Sequence, residues 1–382
     1  MESAILYCPD RHLTYDGATA ERAGVGGGVT ARLRLARALA EQGCRMTVVA
    51  NVPRRHVYRG VTFVPVDEAR RLEAGVLILN STGGALDLSP VLELDVRVRL
   101  RMVWVGGEAA VRGLEDVGYD FVVAPSNYIR LRAGEAWGVP PAKRLVIHNG
   151  VPEQRRSWLR QPPRRNPWRM VYTGHPMKGL SAAVELLRLL RREDRRFELH
   201  VFGGRRLWGQ EEEPFECAEG LVWHGLVGQE ELGLALRGAG FSINLQGLAD
   251  GFGIAMAEAM GAGCLVVASG IGAYPELIRH GYDGFLVAGR HDAPETLERA
   301  ARLILDLAAA PGLAATVRRN AEASPLPWSA VARAWMGQWR RSLGGEAGTW
   351  GQPCPECGGG TYALADGYHC GACGWFGRSG PP

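Results

Sequence analysis

One segment of the chain, residues 250–287, constrains the fold more than any other. It reads DGFGIAMAEAMGAGCLVVASGIGAYPELIRHGYDGFLV, which combines a glycine turn, an apolar helix, a buried strand and a Pro-Glu pair. Gly251 and Gly253 let the backbone turn tightly before the helix, whose first N–H groups and positive dipole end can bind a phosphate. The segment therefore predicts an α/β domain with an anion site at a helix entrance.

Two acids flank this glycine turn. Asp250 precedes it, and Glu258 lies eight residues further along the chain. That spacing is about two helical turns, so both carboxylates can face one bound molecule. The alternative is that both acids cap the helix or face solvent.

Similar strand, loop and helix units occur elsewhere in the chain. A predicted helix at 30–42 lies between apolar strands at 4–8 and 46–51, with Gly27 and Gly28 at its entrance. Glycines at this place let the backbone approach a pyrophosphate closely.

A further unit begins with the strand RMVYTG, which ends in Gly174. His175 and Lys178 follow in a loop, and an apolar-faced helix comes next. Lys178 is a candidate phosphate ligand because it lies between a strand and a helix, although most loop lysines only face solvent. The repeated alternation of strand and helix predicts doubly wound parallel sheets.

Composition shifts divide the chain into parts. Proline and arginine dominate after residue 151, which is typical of a hinge between domains. We therefore predict Rossmann-like domains at 1–160 and 168–324. A tryptophan-rich amphipathic helix at 325–343 is predicted to return to the first domain, and a small module occupies 354–376.

Residues 1–343, taken in order, resemble the group 1 (family 4) retaining glycosyltransferases. The shared motif is an acid, seven residues, a glutamate, a buried strand and the pair Pro275 and Glu276. The resemblance implies the GT-B architecture of two Rossmann-like domains, with the acceptor on the first and a nucleoside-diphosphate sugar on the second. It also implies transfer of the sugar to a hydroxyl group with retention of configuration and without a catalytic metal.

The resemblance also implies roles for individual residues. Glu258 would bind the ribose, Asp250 would approach the sugar hydroxyls, and Lys178 would bind the diphosphate, with His175 where the family often has arginine. Asp250 departs from the family, which usually has glutamate there. The remaining predicted contacts to the nucleotide sugar are Gly27, Gly28, Gly174, Leu226, Val227, Gly251, Phe252 and Gly253.

Glu108 is the candidate on the acceptor side. The family often has a histidine after a first-domain strand, and Glu108 is the nearest polar residue in VWVGGEAAV. It can orient or deprotonate an acceptor, or it can be an exposed carboxylate. Two other functional classes stay open: a sugar-nucleotide epimerase or phosphorylase on the same fold, and a nucleotide-sugar-binding scaffold without activity.

The cysteines near the carboxyl terminus form two Cys-x-x-Cys pairs. Cys354, Cys357, Cys370 and Cys373 can place four thiolates around one Zn²⁺, and a glycine follows each pair. The sequence therefore predicts a four-cysteine zinc ribbon whose folding depends on the metal, with a pair of disulfides as the alternative. The zinc in the ribbon would be structural. The ribbon could bind a protein partner, whereas its low positive charge disfavours binding to nucleic acid.

Charge and hydropathy limit the partners of the whole chain. A net charge of +4 is too weak to indicate nucleic-acid binding. Arginine clusters at 154–169 and 188–196 are typical of solvated surfaces. The alternative is that these arginines, with Trp158 and Trp168, contact anionic lipids at a membrane surface, where the acceptor would be lipid-linked. No secretory signal or membrane-spanning stretch is visible, so we expect a cytoplasmic protein, with the inner membrane face as the alternative.

Overall fold

The computed structural model describes residues 2–80, 86–153, 163–213, 217–344, 350–354, 360–364, 367–370 and 376–378. Trp158 of the predicted hinge lies outside these ranges, as do Cys357 and Cys373 of the predicted zinc ribbon.

The strands, in chain order, are β1 (Ser3–Tyr7), β2 (Arg45–Ala50), β3 (His56–Tyr58), β4 (Val61–Pro65), β5 (Arg71–Asn80), β6 (Leu86–Asp87), β7 (Asp95–Trp104), β8 (Val111–Arg112), β9 (Phe121–Ala124), β10 (Arg144–Val146), β11 (Asn166–Thr173), β12 (Glu198–Phe202), β13 (Leu221–Gly225), β14 (Ala239–Asn244), β15 (Leu265–Ser269), β16 (Phe285–Val287), β17 (Trp350–Pro353), β18 (Gly360–Leu364), β19 (Gly367–Cys370) and β20 (Phe376–Arg378).

The α-helices are α1 (Thr19–Arg22), α2 (Gly27–Glu41), α3 (Asn127–Trp137), α4 (Leu180–Glu193), α5 (Gln229–Gly238), α6 (Ile254–Gly261), α7 (Tyr274–Leu277), α8 (Pro294–Ala309), α9 (Pro311–Ala323) and α10 (Trp328–Ser342). Short 3-10 helices lie at Val66–Glu68, Ser89–Glu93, Pro141–Lys143, Pro176–Lys178 and Arg205–Trp208.

The chain folds into two compact units. The first contains Met1–Ala18, Gly28–Gly150 and Leu326–Pro382, and the second contains Thr19–Gly27 and Val151–Pro325. Helix α10 therefore belongs to the first unit. The short segment that contains α1 belongs to the second unit, although it lies near the amino terminus of the chain.

The first unit is built on an eight-stranded sheet. Its strand order is β10-β9-β7-β5-β1-β2-β4-β3, and every pair is parallel except β3 with β4. Trp335 of α10 is buried in this unit and meets Trp104 of β7 edge to face, with ring centroids 5.7 Å apart. Such aromatic pairs contribute about 0.5–1.5 kcal/mol beyond their burial. The predicted closing helix is thus fixed by its tryptophan stripe.

The second unit has a fully parallel sheet of six strands in the order β13-β12-β11-β14-β15-β16. Every residue of β14 and β15 is buried, as expected when helices cover both faces of a parallel sheet. The order reverses direction between β11 and β14. In doubly wound sheets this reversal opens a crevice at the carboxyl ends of the strands, where ligands bind.

Helix α4 shows why these segments form helices. Its buried residues Leu180, Val184, Leu187 and Leu190 recur every three or four positions and pack into the core of the second unit. The arginines of its last turn are favourable at the negative end of the helix dipole. The amphipathic pattern read from the sequence therefore corresponds to one buried stripe.

The carboxyl-terminal strands β17 to β20 form an antiparallel sheet in sequential order. Cys354 and Cys370 are buried in this module. The described residues contain no group of three or more His, Cys, Asp or Glu side chains that could hold a metal, and two of the four predicted ligands lie outside them. The zinc ribbon stays a prediction.

Within the described ranges, no single helix is long and apolar enough to cross a membrane. Helices α8 and α9 reach that length and composition only as a pair, which is bent by 104°.

Candidate functional site

The candidate site lies at the switch point of the second unit. Strand β11 ends at Thr173, and residues 174–179, here called the lysine turn, follow it. Strand β14 lies beside β11 and ends at Asn244, so the segment that carries Gln246 and Asp250 leaves the same edge of the sheet. The fold thus brings together two sequence segments that were predicted separately.

Close backbone packing holds the lysine turn against this second segment. The N–H of Gly247 donates to the carbonyl oxygen of Lys178 at 3.0 Å. A Cβ at position 179 would overlap the carbonyl oxygen of Leu245, so only glycine allows this approach. The contact places the side chain of Lys178 beside Asp250.

Asp250 is the centre of a polar network. Its carboxylate forms an ion pair with Lys178, accepts a hydrogen bond from the Tyr274 hydroxyl at 3.0 Å, and accepts one from Nε2 of Gln246 at 3.1 Å. The side chains of Lys178 and Asp250 are only 24% and 20% exposed. An ion pair sheltered this far is screened less by water and salt than a surface pair, so the ammonium is held in one position.

The entrance of helix α6 has the glycine turn expected from the sequence. Gly253 adopts a left-handed conformation with φ of 82° and precedes the helix. A Cβ at this position would overlap the ring of Tyr274. Phe252 is buried beside Val151 and Ala257. This packing fixes the direction in which the first N–H groups of α6 point, and Gly251 is partly exposed beside them.

Glu258 lies on the partly exposed face of α6. Its neighbours Ala257 and Ala259 are buried, whereas the glutamate side chain is intermediate in exposure. The helix therefore directs this acid away from the core. Its role with a nucleotide stays a prediction.

His175 is held as a neutral side chain. Its ring is buried and stacks on Trp208 with centroids 3.7 Å apart. Nδ1 accepts a hydrogen bond from the N–H of Met177 at 3.2 Å, so the proton is assigned to Nε2, which donates to Gln210 at 3.1 Å. Burial lowers the pKa of His175, and the charges of Arg205 and Lys178 lower it further. His175 therefore positions the lysine turn and does not supply a cation at neutral pH.

Two tyrosines near Asp250 keep their protons. Burial raises the pKa of Tyr172 and of Tyr274 well above the usual value, and the negative charge of Asp250 adds to the shift. The Tyr172 hydroxyl donates to the carbonyl oxygen of His175 at 2.7 Å. Neither phenol can act as a base at neutral pH, and both act as hydrogen-bond donors.

The predicted base-contact residues lie in a turn after β13. Gly225 has φ of 72°, and Leu226 and Val227 follow it with intermediate exposure. The segment that contains α1 packs here, because a Cβ on Gly24 would lie 2.8 Å from the Cβ of Leu226. Backbone groups at such a turn can recognise a base edge.

The amino-terminal glycines differ in detail from the prediction. Helix α2 begins at Gly27, three residues earlier than expected, so Gly27 and Gly28 form its first turn. Gly27 belongs to the second unit, where a Cβ would lie 3.5 Å from Ile254, and Gly28 belongs to the first. A helix can begin on glycine because its first N–H groups need no partner within the helix.

In the first unit, Glu108 lies in an exposed loop after β7. The switch point of this unit, between β1 and β5, is instead occupied by Arg32, whose side chain is fully buried. Arg32 donates to Asn80 at 2.6 Å, to the Tyr15 hydroxyl at 3.0 Å and to the carboxylate of Asp10 at 3.1 Å. This network fixes the loop after β1 against the end of β5.

Sequence reasoning missed several residues of the candidate site. Gln246, Tyr274, Gln210 and Trp208 surround Asp250 and His175, yet none belongs to a recognisable spacing pattern. Tyr274 had one signal, since it directly precedes the Pro-Glu pair of the motif.

A family model matches most of the second unit. Residues 169–306 match the family model described as Glycosyl transferases group 1. No curated protein matches the chain significantly. The matched region contains the lysine turn, Asp250 and Glu258.

Solved structures of similar fold cover nearly all of both chains. Sucrose-phosphate synthase from Thermosynechococcus elongatus has a TM-score of 0.63 at 16% identity, covering 90% of this chain and 99% of that one. AviGT4, a glycosyltransferase involved in avilamycin A biosynthesis, has 0.60 at 17% identity and covers 90% and 98%. Anabaena Alr3699/HepE in complex with UDP has 0.58 at 15% identity and covers 90% and 100%.

These likenesses show an α/β fold with parallel sheets of the GT-B type. Together with the family match, they support the prediction of a glycosyltransferase. Retention of configuration stays a prediction.

Proposed function

We propose that the chain transfers a sugar from a nucleoside-diphosphate sugar to a hydroxyl acceptor with retention of configuration. The observation that carries this proposal is the ion pair of Lys178 with Asp250 at the switch point of the second unit. It lies inside the region that matches group 1 glycosyltransferases. In such a site the ammonium of Lys178 offsets the charge that grows on the departing diphosphate.

The surroundings of Asp250 favour a front-face path. A double-displacement path needs an enzymic nucleophile that attacks the anomeric carbon. The Asp250 carboxylate already accepts from Lys178, Tyr274 and Gln246, which reduces its nucleophilicity. The leaving phosphate would instead take the acceptor proton, and Asp250 would orient Lys178 and the sugar hydroxyls.

The other predicted contacts extend this site. Glu258 would bind the ribose from the partly exposed face of α6, and the backbone of residues 225–227 would meet the base. The first N–H groups of α6 would face the donor phosphates. Glu108 would act on the acceptor from the first unit, with a glycan, a lipid-linked sugar or a small alcohol as acceptor.

The experiment that tests this function is a ligand panel followed by an activity assay. We expect one of UDP, GDP or ADP to stabilise the protein by about 2.7 kcal/mol at a concentration one hundred times its dissociation constant. UDP comes first because Anabaena Alr3699/HepE was solved in complex with UDP and with UDP-glucose. Acceptor-dependent release of the same diphosphate from its sugar conjugate then establishes transfer.

Two results of that assay would contradict transfer. Binding without turnover across a broad acceptor panel would indicate a scaffold. Release of diphosphate, or conversion of the sugar, without an acceptor would indicate a phosphorylase or epimerase. The stereochemistry of the product, measured by NMR coupling at the anomeric proton, decides between retention and inversion.

We also propose that residues 354–376 bind one structural Zn²⁺ through Cys354, Cys357, Cys370 and Cys373. The antiparallel strands β17 to β20 and the burial of Cys354 and Cys370 support this proposal. Four thiolates match the preference of zinc in closed structural sites. We expect about one zinc per chain by atomic emission. Cys357→Ser should lower that content and Cys217→Ser should not, whereas a metal-free native protein would contradict the proposal.

Peripheral contact with a membrane stays a proposal. Trp168, one of the two tryptophans that suggested it, lies under the guanidinium of Arg196, 3.8 Å from its ring centroid. This cation–π contact already uses one face of the ring.

A further inference from the structure

The lysine turn leaves a charge requirement unmet in the proposed transfer. A nucleoside diphosphate carries at least two negative charges near neutral pH, and the leaving group gains more as the sugar departs. Lys178 is the only lysine or arginine from residue 174 to residue 187, and its charge is shared with Asp250. His175 is neutral. The N–H groups at the entrance of α6 can offset part of this charge, and a second cation would have to come from a neighbouring segment.

The neighbouring strand β12 delivers a suitable segment. It pairs with β11 in parallel and ends at Phe202, so the residues after it leave the same edge of the sheet. A Cβ at position 203 would overlap the carbonyl oxygen of Gly174. Only a glycine permits this approach, and Arg205 follows two residues after this point of contact with the lysine turn.

The residues after Arg205 pack directly on His175. Trp208 stacks on the imidazole, and the side-chain oxygen of Gln210 accepts a hydrogen bond from its Nε2. The positive charges of Arg205 and Lys178 both lower the pKa of His175, so both lie close enough to act on one ring. Arg205 and Lys178 therefore both lie near His175, which occupies the position where the resembled family often has arginine.

The present partner of Arg205 is a carboxylate that an anion can replace. Its Nη2 lies 2.7 Å from Oε2 of Glu213, and the two side chains are 29% and 64% exposed. Ion pairs with one partner mostly in solvent contribute about 0–1 kcal/mol, so their opening costs little. Glu212 anchors the acidic segment separately, because it accepts from the N–H groups of Arg205 and Arg206 at 3.1 and 3.3 Å.

We infer that Arg205 is the second cation of the donor site, and that it binds the diphosphate after exchanging Glu213 for a phosphate oxygen. This inference rests on the proposed function, and it assigns to Arg205 the positive charge that His175 does not supply. Arginine suits the task because its planar fork can donate two hydrogen bonds to one phosphate.

The test compares Arg205→Ala with Arg206→Ala by titration calorimetry of the nucleoside diphosphate that the unmodified protein binds best. Arg206 is the matched control, because it is adjacent, exposed and of equal charge. We expect Arg205→Ala to weaken diphosphate binding about 10- to 100-fold and Arg206→Ala less than about 3-fold. Arg205→Lys should restore part of the loss, because lysine keeps the charge without the fork.

Two further measurements separate phosphate contact from a structural role. Affinity for the nucleoside without phosphate, measured by competition, should stay within about 2-fold in Arg205→Ala. Glu213→Gln should tighten diphosphate binding about 2- to 5-fold, because it removes the competing carboxylate.

The outcomes distinguish this inference from the proposed function. Equal diphosphate affinity of Arg205→Ala and the unmodified protein would overturn the assignment of Arg205 and leave the proposed function intact. An equal loss for the nucleoside and the diphosphate would also overturn it, since the effect would then be structural. If the unmodified protein binds no nucleoside diphosphate, both fail together.

Discussion

Replacing Lys178 with methionine should lower kcat/KM for the proposed sugar transfer about 100- to 1,000-fold. The removal of one charged donor from a site that stabilises developing negative charge typically costs about 2.7–4 kcal/mol of transition-state stabilisation. Methionine keeps most of the length and the apolar contacts of the lysine side chain, so the loss of activity measures the contribution of the ammonium group. Initial rates of acceptor-dependent diphosphate release, with each donor and acceptor concentration varied, measure it.

The loss in Lys178→Met can be divided between the affinity for the donor and the rate of the chemical step. Because the charge on the diphosphate grows as the sugar departs, kcat should fall more than the affinity for the donor. Lys178→Arg is the matched control, since it keeps the positive charge and should retain more activity than Lys178→Met. An unchanged kcat in Lys178→Met would place the leaving group elsewhere.

The fold class and the segments of the candidate site followed from local patterns in the sequence. Each predicted unit had a strand, a glycine-containing loop and an apolar-faced helix, and those patterns depend on neighbours within a few residues. The order β13-β12-β11-β14-β15-β16 then places the ends of β11 and β14 side by side. Lys178 and Asp250, 72 positions apart, meet for that reason.

The partners of these residues could not be predicted in the same way. Tyr274 and Gln246 reach Asp250 because the loops after β14 and β15 pack closely, and no residue spacing encodes that distance. The lowered pKa of His175 comes first from burial, to which the stacked ring of Trp208 contributes from the segment after β12. The motif showed a histidine where the resembled family often has arginine, but its spacing could not show that the ring would be buried and hydrogen-bonded.

Asp250 stands where the resembled family usually has glutamate, so its side chain is shorter by one methylene. In the structure the shorter carboxylate meets Lys178, Tyr274 and Gln246 at once. A glutamate would extend the carboxylate by about 1.3–1.5 Å on ordinary bond lengths, beyond the positions where these three donors converge.

Variants of Asp250 should therefore separate charge, length and hydrogen bonding. Asp250→Ala removes the acceptor of the buried Tyr274 hydroxyl, and a buried donor left without an acceptor costs about 1–3 kcal/mol of unfolding free energy. Asp250→Asn keeps an oxygen that can accept from Tyr274, so it should lose less stability. Denaturant unfolding measures both, with Tyr274→Phe as the control that removes only the hydroxyl.

The Asp250 variants should rank differently in activity than in stability. Asp250→Asn leaves Lys178 without its opposite charge, and we expect its kcat/KM to fall about 100-fold because the ammonium is no longer held in place. Asp250→Glu keeps the charge but moves it, so its activity should also lie below that of the unmodified protein. If Asp250→Glu were as active or more active, the convergence of Lys178, Tyr274 and Gln246 on the shorter side chain would have no role in transfer. The carboxylate would then act on the sugar independently of the lysine turn.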